Sequence, residues 1–330
     1  MQLARFPRRR YTEHPTPLVP LRRLSEHLGG PTIWLKRDDM LGLAGGGNKA
    51  RKLEFLVADA LERGADTLVT TGAVQSNHCR LTLAAARAEG LECRLVVEER
   101  VPGSYDVEAS GNNFLFHLLG AERIRVVPAG TDLAAAMQAE VDDLAASGRV
   151  GYVIPGGGST PLGALGYVAA AKELLAQADE LGLVIDRVVV GSGSGGTHAG
   201  LVAGLTALSS GVRVLGVSTR ADKAAQEAKV LDLARRTAAL AGSAVEVRPE
   251  DVEVADGYVG PGYSLPTAEM VEAVRLFARL EGVLLDPVYT GKAAAGLVDL
   301  VRRGELGGEN VVFVHTGGWP ALFAYQETFR

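Results

Sequence analysis

Hydrophobic positions along this chain alternate between two textures. Short apolar or β-branched runs, such as Thr67-Leu68-Val69-Thr70-Thr71 and Val311-Val312-Phe313-Val314, are separated by longer segments in which apolar residues recur at helical spacing. The runs predict strands at 32–37, 67–71, 91–98, 124–128, 151–155, 187–190, 213–217 and 311–314, and the periodic segments predict helices at 53–61, 77–87, 109–119, 133–146, 163–181, 198–208, 222–240, 267–281 and 291–303. Residues 11–44 read as an irregular lead-in around the strand at 32–37. Strands that are apolar along their whole length belong in parallel sheets covered by helices on both faces. Such sheets place ligands beyond the carboxyl ends of their strands, so the loops that follow strands carry the chemistry.

Composition narrows the classes. At 330 residues with 47% hydrophobic content the chain can bury two α/β lobes. A net charge of -5 shows no basic excess, so no nucleic-acid partner is expected. Cys79 and Cys93 are the only cysteines and lack paired spacing, which argues against a disulfide scaffold or a zinc site and for a reduced cytoplasm. No metal is expected. No apolar run approaches the roughly 20 residues of a membrane span, and the basic N-terminus lacks the apolar stretch of a secretory signal. Lysine is scarce, being limited to Lys36, Lys49, Lys52, Lys172, Lys223, Lys229 and Lys292.

One of those lysines sits where an amine nucleophile would be useful. In Gly45-Gly46-Gly47-Asn48-Lys49, a glycine turn delivers Lys49 to the start of a helix, where the positive dipole end disfavours the charged amine. Three glycines turning the backbone beside an idle lysine would look the same. Lys52 reads as a charge on the helix surface.

Four loops after strands add candidates. Gly72 to Arg80 holds Gln75, Ser76, Asn77 and His78 at a helix start, which suits a carboxylate, although Ser76 or Asn77 is at minimum an N-cap. Gly191 to Gly200 places Ser194, Gly195, Gly196 and Thr197 before a helix, where backbone N–H groups cradle a phosphate. Gly191, Gly193 and Gly196 also satisfy the dinucleotide fingerprint, but the next strand ends in Ser218-Thr219-Arg220 rather than in an acid; an NADP-dependent oxidoreductase is the competing class. Tyr263 and Tyr289 lie beside Gly/Pro turns, as packing residues or as phenols lining a pocket. Thr316 follows the last strand, either as a satisfied turn hydroxyl or as a ligand contact.

These parts resemble one family. GGGNKARKLEF at 45–55, GAVQSNHCR at 72–80, IPGGGSTPLGALGY at 154–167, GSGGTHAG at 193–200, LDPVYTGKAAAGL at 285–297 and HTGG at 315–318 resemble, over nearly the full chain, the D-cysteine desulfhydrase / ACC deaminase family of pyridoxal-phosphate enzymes. The resemblance implies an α/β protein of the tryptophan-synthase-β-like class, fold type II, with two doubly wound three-layer αβα domains: residues 1–50 plus 157–330 as the large cofactor-binding domain and 51–156 as a smaller inserted one. It implies pyridoxal 5'-phosphate as cofactor, carried on Lys49 with Asn48 beside it. It further implies Asn77 at the 3-hydroxyl, Ser194, Gly195, Gly196 and Thr197 at the phosphate, and Thr316 near the pyridine nitrogen. Ser76, Asn77 and His78 then meet the substrate carboxylate while Tyr263 and Tyr289 face the reacting carbons. The implied reaction is β-elimination from a small sulfur-containing amino acid, D-cysteine first, in a homodimer. Thr290 stands where ACC deaminases carry glutamate, which lowers ring opening. PAGTD at 128–132, GGGST at 156–160 and VGPGY at 259–263 resemble L-cysteate sulfo-lyase at least as well. Trp319 is unexpected in either.

Overall fold

A computed structural model describes residues 1–11, 15–308 and 310–330, so residues 12–14 of the expected lead-in lie outside the described residues. The strands are β1 (Leu18–Pro20), β2 (Thr32–Lys36), β3 (Thr67–Ala73), β4 (Glu92–Glu99), β5 (Arg123–Pro128), β6 (Gly151–Ile154), β7 (Arg187–Ser192), β8 (Arg213–Ser218), β9 (Glu253–Ala255) and β10 (Asn310–Val314). The helices are α1 (Arg22–Leu28), α2 (Lys49–Glu62), α3 (Asn77–Ala88), α4 (Asn112–Leu118), α5 (Leu133–Ala146), α6 (Pro161–Glu180), α7 (Gly196–Ala207), α8 (Lys223–Leu240), α9 (Ala268–Glu281), α10 (Thr290–Arg302) and α11 (Gln326–Phe329).

The strands form two sheets, one in the order β1-β2-β10-β7-β8-β9 and the other β5-β4-β3-β6. Every pairing is parallel except β1 with β2, which is antiparallel. That antiparallel edge strand lies in the segment the sequence leaves as an irregular lead-in. Strand alternation splits the core: Val188 and Val190 point toward α6, α7 and α8, while Val189 and Phe313 point toward α9 and α10. In the smaller sheet Leu68, Cys93 and Leu95 pack with α2 and α3, and Val69 and Val96 face α5. Helices therefore cover both faces of both sheets, as the apolar strands require. Burying each such aliphatic side chain contributes roughly 1.5–3 kcal/mol.

Most sequence-predicted elements appear with small boundary shifts. The short β1, α1 and β9 do not stand out in the sequence, since Pro17 and Pro20 interrupt the first and three residues are too few for the last to show alternation. Helix α2 is the informative difference. It begins at Lys49 itself, four residues before the predicted start, so the lysine is its first residue.

A buried charge network fixes that first turn. The Arg51 guanidinium donates through Nε to Asp38 Oδ2 at 2.9 Å, through Nη2 to Asp38 Oδ1 at 2.8 Å and through Nη1 to Glu173 Oε2 at 2.8 Å. The Tyr167 hydroxyl donates to Asp38 Oδ2 at 2.6 Å. Arg51 beside it holds the Asp38 carboxyl below its usual range despite complete burial. Gly166 lets α6 approach closely, because a Cβ there would meet the Arg51 carbonyl oxygen at 2.2 Å. Removing one member strands a buried charge, so Asp38→Ala is expected to destabilise the protein by about 3–5 kcal/mol. Urea unfolding measures it; a change below about 1 kcal/mol would show that the network does not anchor α2.

Candidate active site

The carboxyl ends of β3, β4, β6, β7, β8 and β10 converge on one cavity of about 250 Å³ between the two sheets. Thr71 to Ala73, Arg100, Gly156 and Gly157, Gly191, Gly193 to Gly195, Arg220 and Thr316 reach it from those strands and the turns beyond them. The lining also holds Asn48, Lys49, Ser76, His78, Thr197, Tyr263 and Tyr289. Asn77 and Gly196, singled out in the sequence, sit just behind the wall rather than in it.

Lys49 is presented by a stitched turn. Asn48 donates its backbone N–H to the Thr316 carbonyl at 3.0 Å and its side-chain Nδ2 to Thr197 Oγ1 at 2.8 Å, tying the lysine turn to both the last loop and the glycine loop. Gly47 has φ +132°, and a Cβ there would lie 3.2 Å from the Thr316 carbonyl oxygen. The Lys49 amine makes no hydrogen bond among the described residues; its Nζ lies 5.2 Å from the Tyr289 ring centroid. Burial lowers its pKa to about 8, opposed by Asp286 and assisted by Arg80. A large fraction of the amine is then neutral near pH 8, as a nucleophile or proton acceptor requires.

Lys52, one turn further on, is the main correction to the sequence reading. It is buried rather than on the surface, and its Nζ donates only to the Gly157 carbonyl, at 3.0 Å. Burial first, and the Lys49 charge second, hold its ammonium well below the ordinary lysine value. Nζ also comes within 2.8 Å of where a Cβ on Gly196 would sit. A buried amine facing a glycine turn, with no carboxylate beside it among the described residues, is suited to meet an anion.

That turn is the start of α7. Gly195 takes φ +90° and gives the helix no side-chain cap, so its first N–H groups face the cavity end. One of them is taken, since Gly196 N–H donates to Ser159 Oγ at 3.1 Å, and Ser159 in turn donates to Ser194 Oγ at 2.8 Å. Gly157, with φ +74°, faces Ser194 so closely that a Cβ would meet its Oγ at 2.2 Å. Lys52, Gly157 and Ser159 thus all meet this turn. The glycine run at 156–158 is the sequence signal for two of them, whereas nothing in the sequence distinguishes Lys52 from a surface lysine.

On the opposite wall, Ser76 caps α3 by accepting from Cys79 N–H at 3.1 Å. Asn77 Oδ1 accepts from Arg80 Nη1 at 3.0 Å and from Asn112 Nδ2 at 2.9 Å, which leaves its Nδ2 as the free donor, packed toward Gly318. The His78 tautomer follows from its neighbours. Thr70 donates its hydroxyl to the Ile154 carbonyl at 2.7 Å, so His78 Nε2 must carry the proton it donates to Thr70 Oγ1 at 2.8 Å. Nδ1 is left a buried acceptor without a protein partner. Burial, with Lys49 and Lys52 nearby, holds the ring far below its usual pKa, so His78 stays neutral.

Tyr263 and Tyr289 share a short hydroxyl–hydroxyl hydrogen bond, with ring centroids 6.0 Å apart and planes at 67°. Burial raises both phenols above their ordinary pKa, so each remains protonated. Thr290 does not reach the cavity: its hydroxyl donates to Asp286 Oδ1 at 2.7 Å. Trp319 donates Nε1 to the Gly45 carbonyl at 3.2 Å, bracing the glycine turn from outside.

The donor set suits one cofactor: an unpaired amine for an aldehyde, a glycine cradle backed by a buried ammonium for a phosphate monoester, and an amide donor and a free hydroxyl, that of Thr316, for ring heteroatoms. Residues 10–317 match the family described as pyridoxal-phosphate dependent enzyme, and the chain belongs to that family. Its cofactor is pyridoxal phosphate. Among curated proteins the chain is similar to the D-cysteine desulfhydrase of Salmonella typhimurium, 47% identical over 326 residues and covering 98% of each chain, and equally to that of Salmonella typhi. A crystal structure described as an ACC deaminase homologue superposes with a TM-score of 0.90 at 41% identity, covering 99% of this chain and 96% of that one. A threonine deaminase of T.th. shares the fold, with a TM-score of 0.65 at 22% identity over 92% of each chain. The family match displaces the NADP-dependent alternative.

Two outcomes check this site. Lys52→Ala is expected to raise the cofactor's dissociation constant by about tenfold or more, the loss of one charge-assisted contact; unchanged affinity in a fluorescence titration would remove Lys52 from the cradle. In the cofactor-free protein, acylation of Lys49 should rise with pH to half its maximum near pH 8. A midpoint above about pH 10, the ordinary lysine value, would mean that burial does not depress the amine.

Proposed function

We propose that the protein is a carbon–sulfur lyase that eliminates the β-substituent of a small sulfur-containing amino acid, with D-cysteine as first substrate, giving pyruvate, sulfide and ammonia. The observation that carries this reading is the unpaired Lys49 amine between a phosphate cradle and two protonated phenols; the D-cysteine desulfhydrases at 47% identity support the substrate. Pyridoxal phosphate, when bound, supplies an aldehyde that condenses with amines and a ring that withdraws electrons from the α-carbon.

The chain's residues divide the remaining work. Lys52 with Ser194, Gly195, Gly196 and Thr197 holds the phosphate, and Asn48 ties that cradle to the lysine turn. Asn77 Nδ2 would donate to the cofactor's 3-hydroxyl oxygen, its own oxygen being held by Arg80 and Asn112. Thr316 meets the pyridine nitrogen with a hydroxyl rather than a carboxylate, which leaves that nitrogen uncharged and favours prompt loss of the β-substituent. Ser76, Asn77 and the N-terminus of α3 receive the substrate carboxylate, with neutral His78 behind them holding the Thr70 hydroxyl. Lys49 takes the α-proton, because its amine is neutral near pH 8 while both tyrosines stay protonated. Tyr263 and Tyr289 then supply the proton that a departing thiolate needs.

Ring opening of ACC is disfavoured because Thr290 is turned away to Asp286. The same proposal takes residues 51–156 as the small inserted unit and 1–50 with 157–330 as the large one, a division supported by the two sheets flanking the cavity. It also takes the protein to act as a homodimer in a reduced cytoplasm. Cys79 and Cys93, both buried free thiols, support the reducing compartment. No helix among the described residues is long and apolar enough to cross a membrane.

Pyruvate release from D-cysteine, β-chloro-D-alanine, L-cysteate and ACC tests the reading. Turnover of D-cysteine with sulfide release, abolished in Lys49→Ala, is expected. Exclusive activity on ACC, or a fully active Lys49→Ala protein, would overturn it.

A further inference from the structure

Tyr263 and Tyr289 reach the cavity from unequal supports. Tyr289 is held by its own element: its backbone N–H donates to Asp286 Oδ2 at 2.9 Å, and its carbonyl accepts from Ala293 N–H, inside α10, at 2.9 Å. Tyr263 sits in the irregular stretch between β9 and α9. The backbone hydrogen bonds that this stretch makes within itself are long, from Val259 N–H to the Asp256 carbonyl at 3.4 Å and from Leu265 N–H to the Gly262 carbonyl at 3.3 Å. Ser264 takes φ +62°, a left-handed conformation that a residue with a Cβ keeps only where its surroundings impose it. Such a loop does not fix a phenol by itself.

Lys292 supplies the support. It lies in the first turn of α10, one turn beyond Tyr289, and is fully buried, yet no carboxylate pairs with it among the described residues. Its Nζ donates to the Val259 carbonyl at 2.6 Å and to the Gly262 carbonyl at 2.9 Å, both just before Tyr263 in the chain. Burial lowers the pKa of this amine, so the position is a costly one for lysine, and a methionine would fill the space without that cost. What lysine adds is a pair of N–H groups aimed at one loop, and charge-assisted bonds of that kind are about twice as strong as neutral ones. After Tyr263, the Tyr325 hydroxyl donates to the Ser264 carbonyl at 3.1 Å. The phenol is gripped from both sides, and the Lys292 grip comes from the helix that Tyr289 begins.

Resting on the elimination chemistry proposed above, we propose that Lys292 is a positioning residue whose clamp on the Val259 and Gly262 carbonyls sets the Tyr263 hydroxyl against that of Tyr289, so that the pair delivers a proton to the leaving sulfur. Lys292 itself stands behind the cavity wall rather than in it. When the Cβ–S bond of an ionised thiol breaks, its electron pair stays on sulfur, which takes the phenol proton and leaves as hydrosulfide; solvent water restores the phenol. Chloride is a far weaker base and leaves β-chloro-D-alanine without a proton. The clamp therefore matters to one leaving group and not to the other.

The test uses the holoenzyme as wild type, Lys292→Met, Tyr263→Phe and the two combined, with D-cysteine and β-chloro-D-alanine as substrates. In Lys292→Met, kcat for D-cysteine is expected to fall about tenfold or more, part of the factor of roughly 100–10,000 that a general acid supplies, while kcat for β-chloro-D-alanine and the cofactor's absorbance stay as in the wild type. Adding Lys292→Met to Tyr263→Phe should cost nothing further, because both remove one function. Lys292→Gln, which keeps an N–H donor without the charge, should recover part of the loss, and it takes the place of the methionine variant if that one does not fold. Chymotrypsin gives a readout independent of turnover: cleavage after Tyr258 or Tyr263 should be about tenfold faster in Lys292→Met, as local opening becomes easier. Equal losses on both substrates, a further loss on top of Tyr263→Phe, or unchanged turnover and cleavage would overturn the proposal and leave the elimination reading standing. If the wild type eliminates from neither substrate, that reading falls, and unchanged cleavage in Lys292→Met would overturn the clamp as well.

Discussion

Two lysines one turn apart at the start of a single helix, both withdrawn from water, are the constraint on which this structure turns. The Lys49 charge depresses Lys52, both depress His78, and the positive end of the α2 dipole adds to the cost. Unpaired buried ammonium groups are costly by several kcal/mol in the absence of compensation, and no carboxylate among the described residues makes an ion pair with either. The fold tolerates the arrangement because Arg51, Asp38, Glu173 and Tyr167 hold the first turn of α2 by a separate, fully paired network. In the proposed reading a phosphate and an aldehyde meet those amines.

The remaining architecture serves that turn. Two sheets point their carboxyl ends at one another, so loops far apart in sequence reach a common cavity without any one of them being long. Glycines matter where the chain is crowded: Gly47 against the Thr316 carbonyl, and Gly157 against the Ser194 side chain. Side chains at either place would push apart the walls of the cavity. Protonation states then follow from burial. A lysine amine lowered to about 8, a neutral histidine of fixed tautomer and two protonated phenols are four consequences of burial around one cavity, and together they leave Lys49 as the group able to accept a proton.

Much of this is legible in the residues. Alternation of apolar runs with helical periods marks both sheets and nearly all the helices, because fully buried strands leave an unmistakable texture. The glycine turn locates Lys49, and the four loops locate Ser76, Ser194, Thr197, Tyr263, Tyr289 and Thr316, all of which line the cavity. Lys52 misleads because its periodicity is that of any helical residue, and only the packing of Gly157 and Gly196 against α2 shows it to be buried. Arg100 and Arg220 are invisible as a pair, since they lie on different sheets and meet only when the sheets do. The hydrogen bond that orients Asn77 depends on Asn112, a residue with no sequence signal at all.

The neutral, cofactor-bearing Lys49 is the central claim, and chemical trapping tests it most directly. Borohydride reduction of the yellow holoenzyme followed by peptide mapping should place the reduced pyridoxyl group on the peptide containing Lys49 and leave Lys52 unmodified. Label on Lys52, or none on either lysine, would contradict the division of labour along α2.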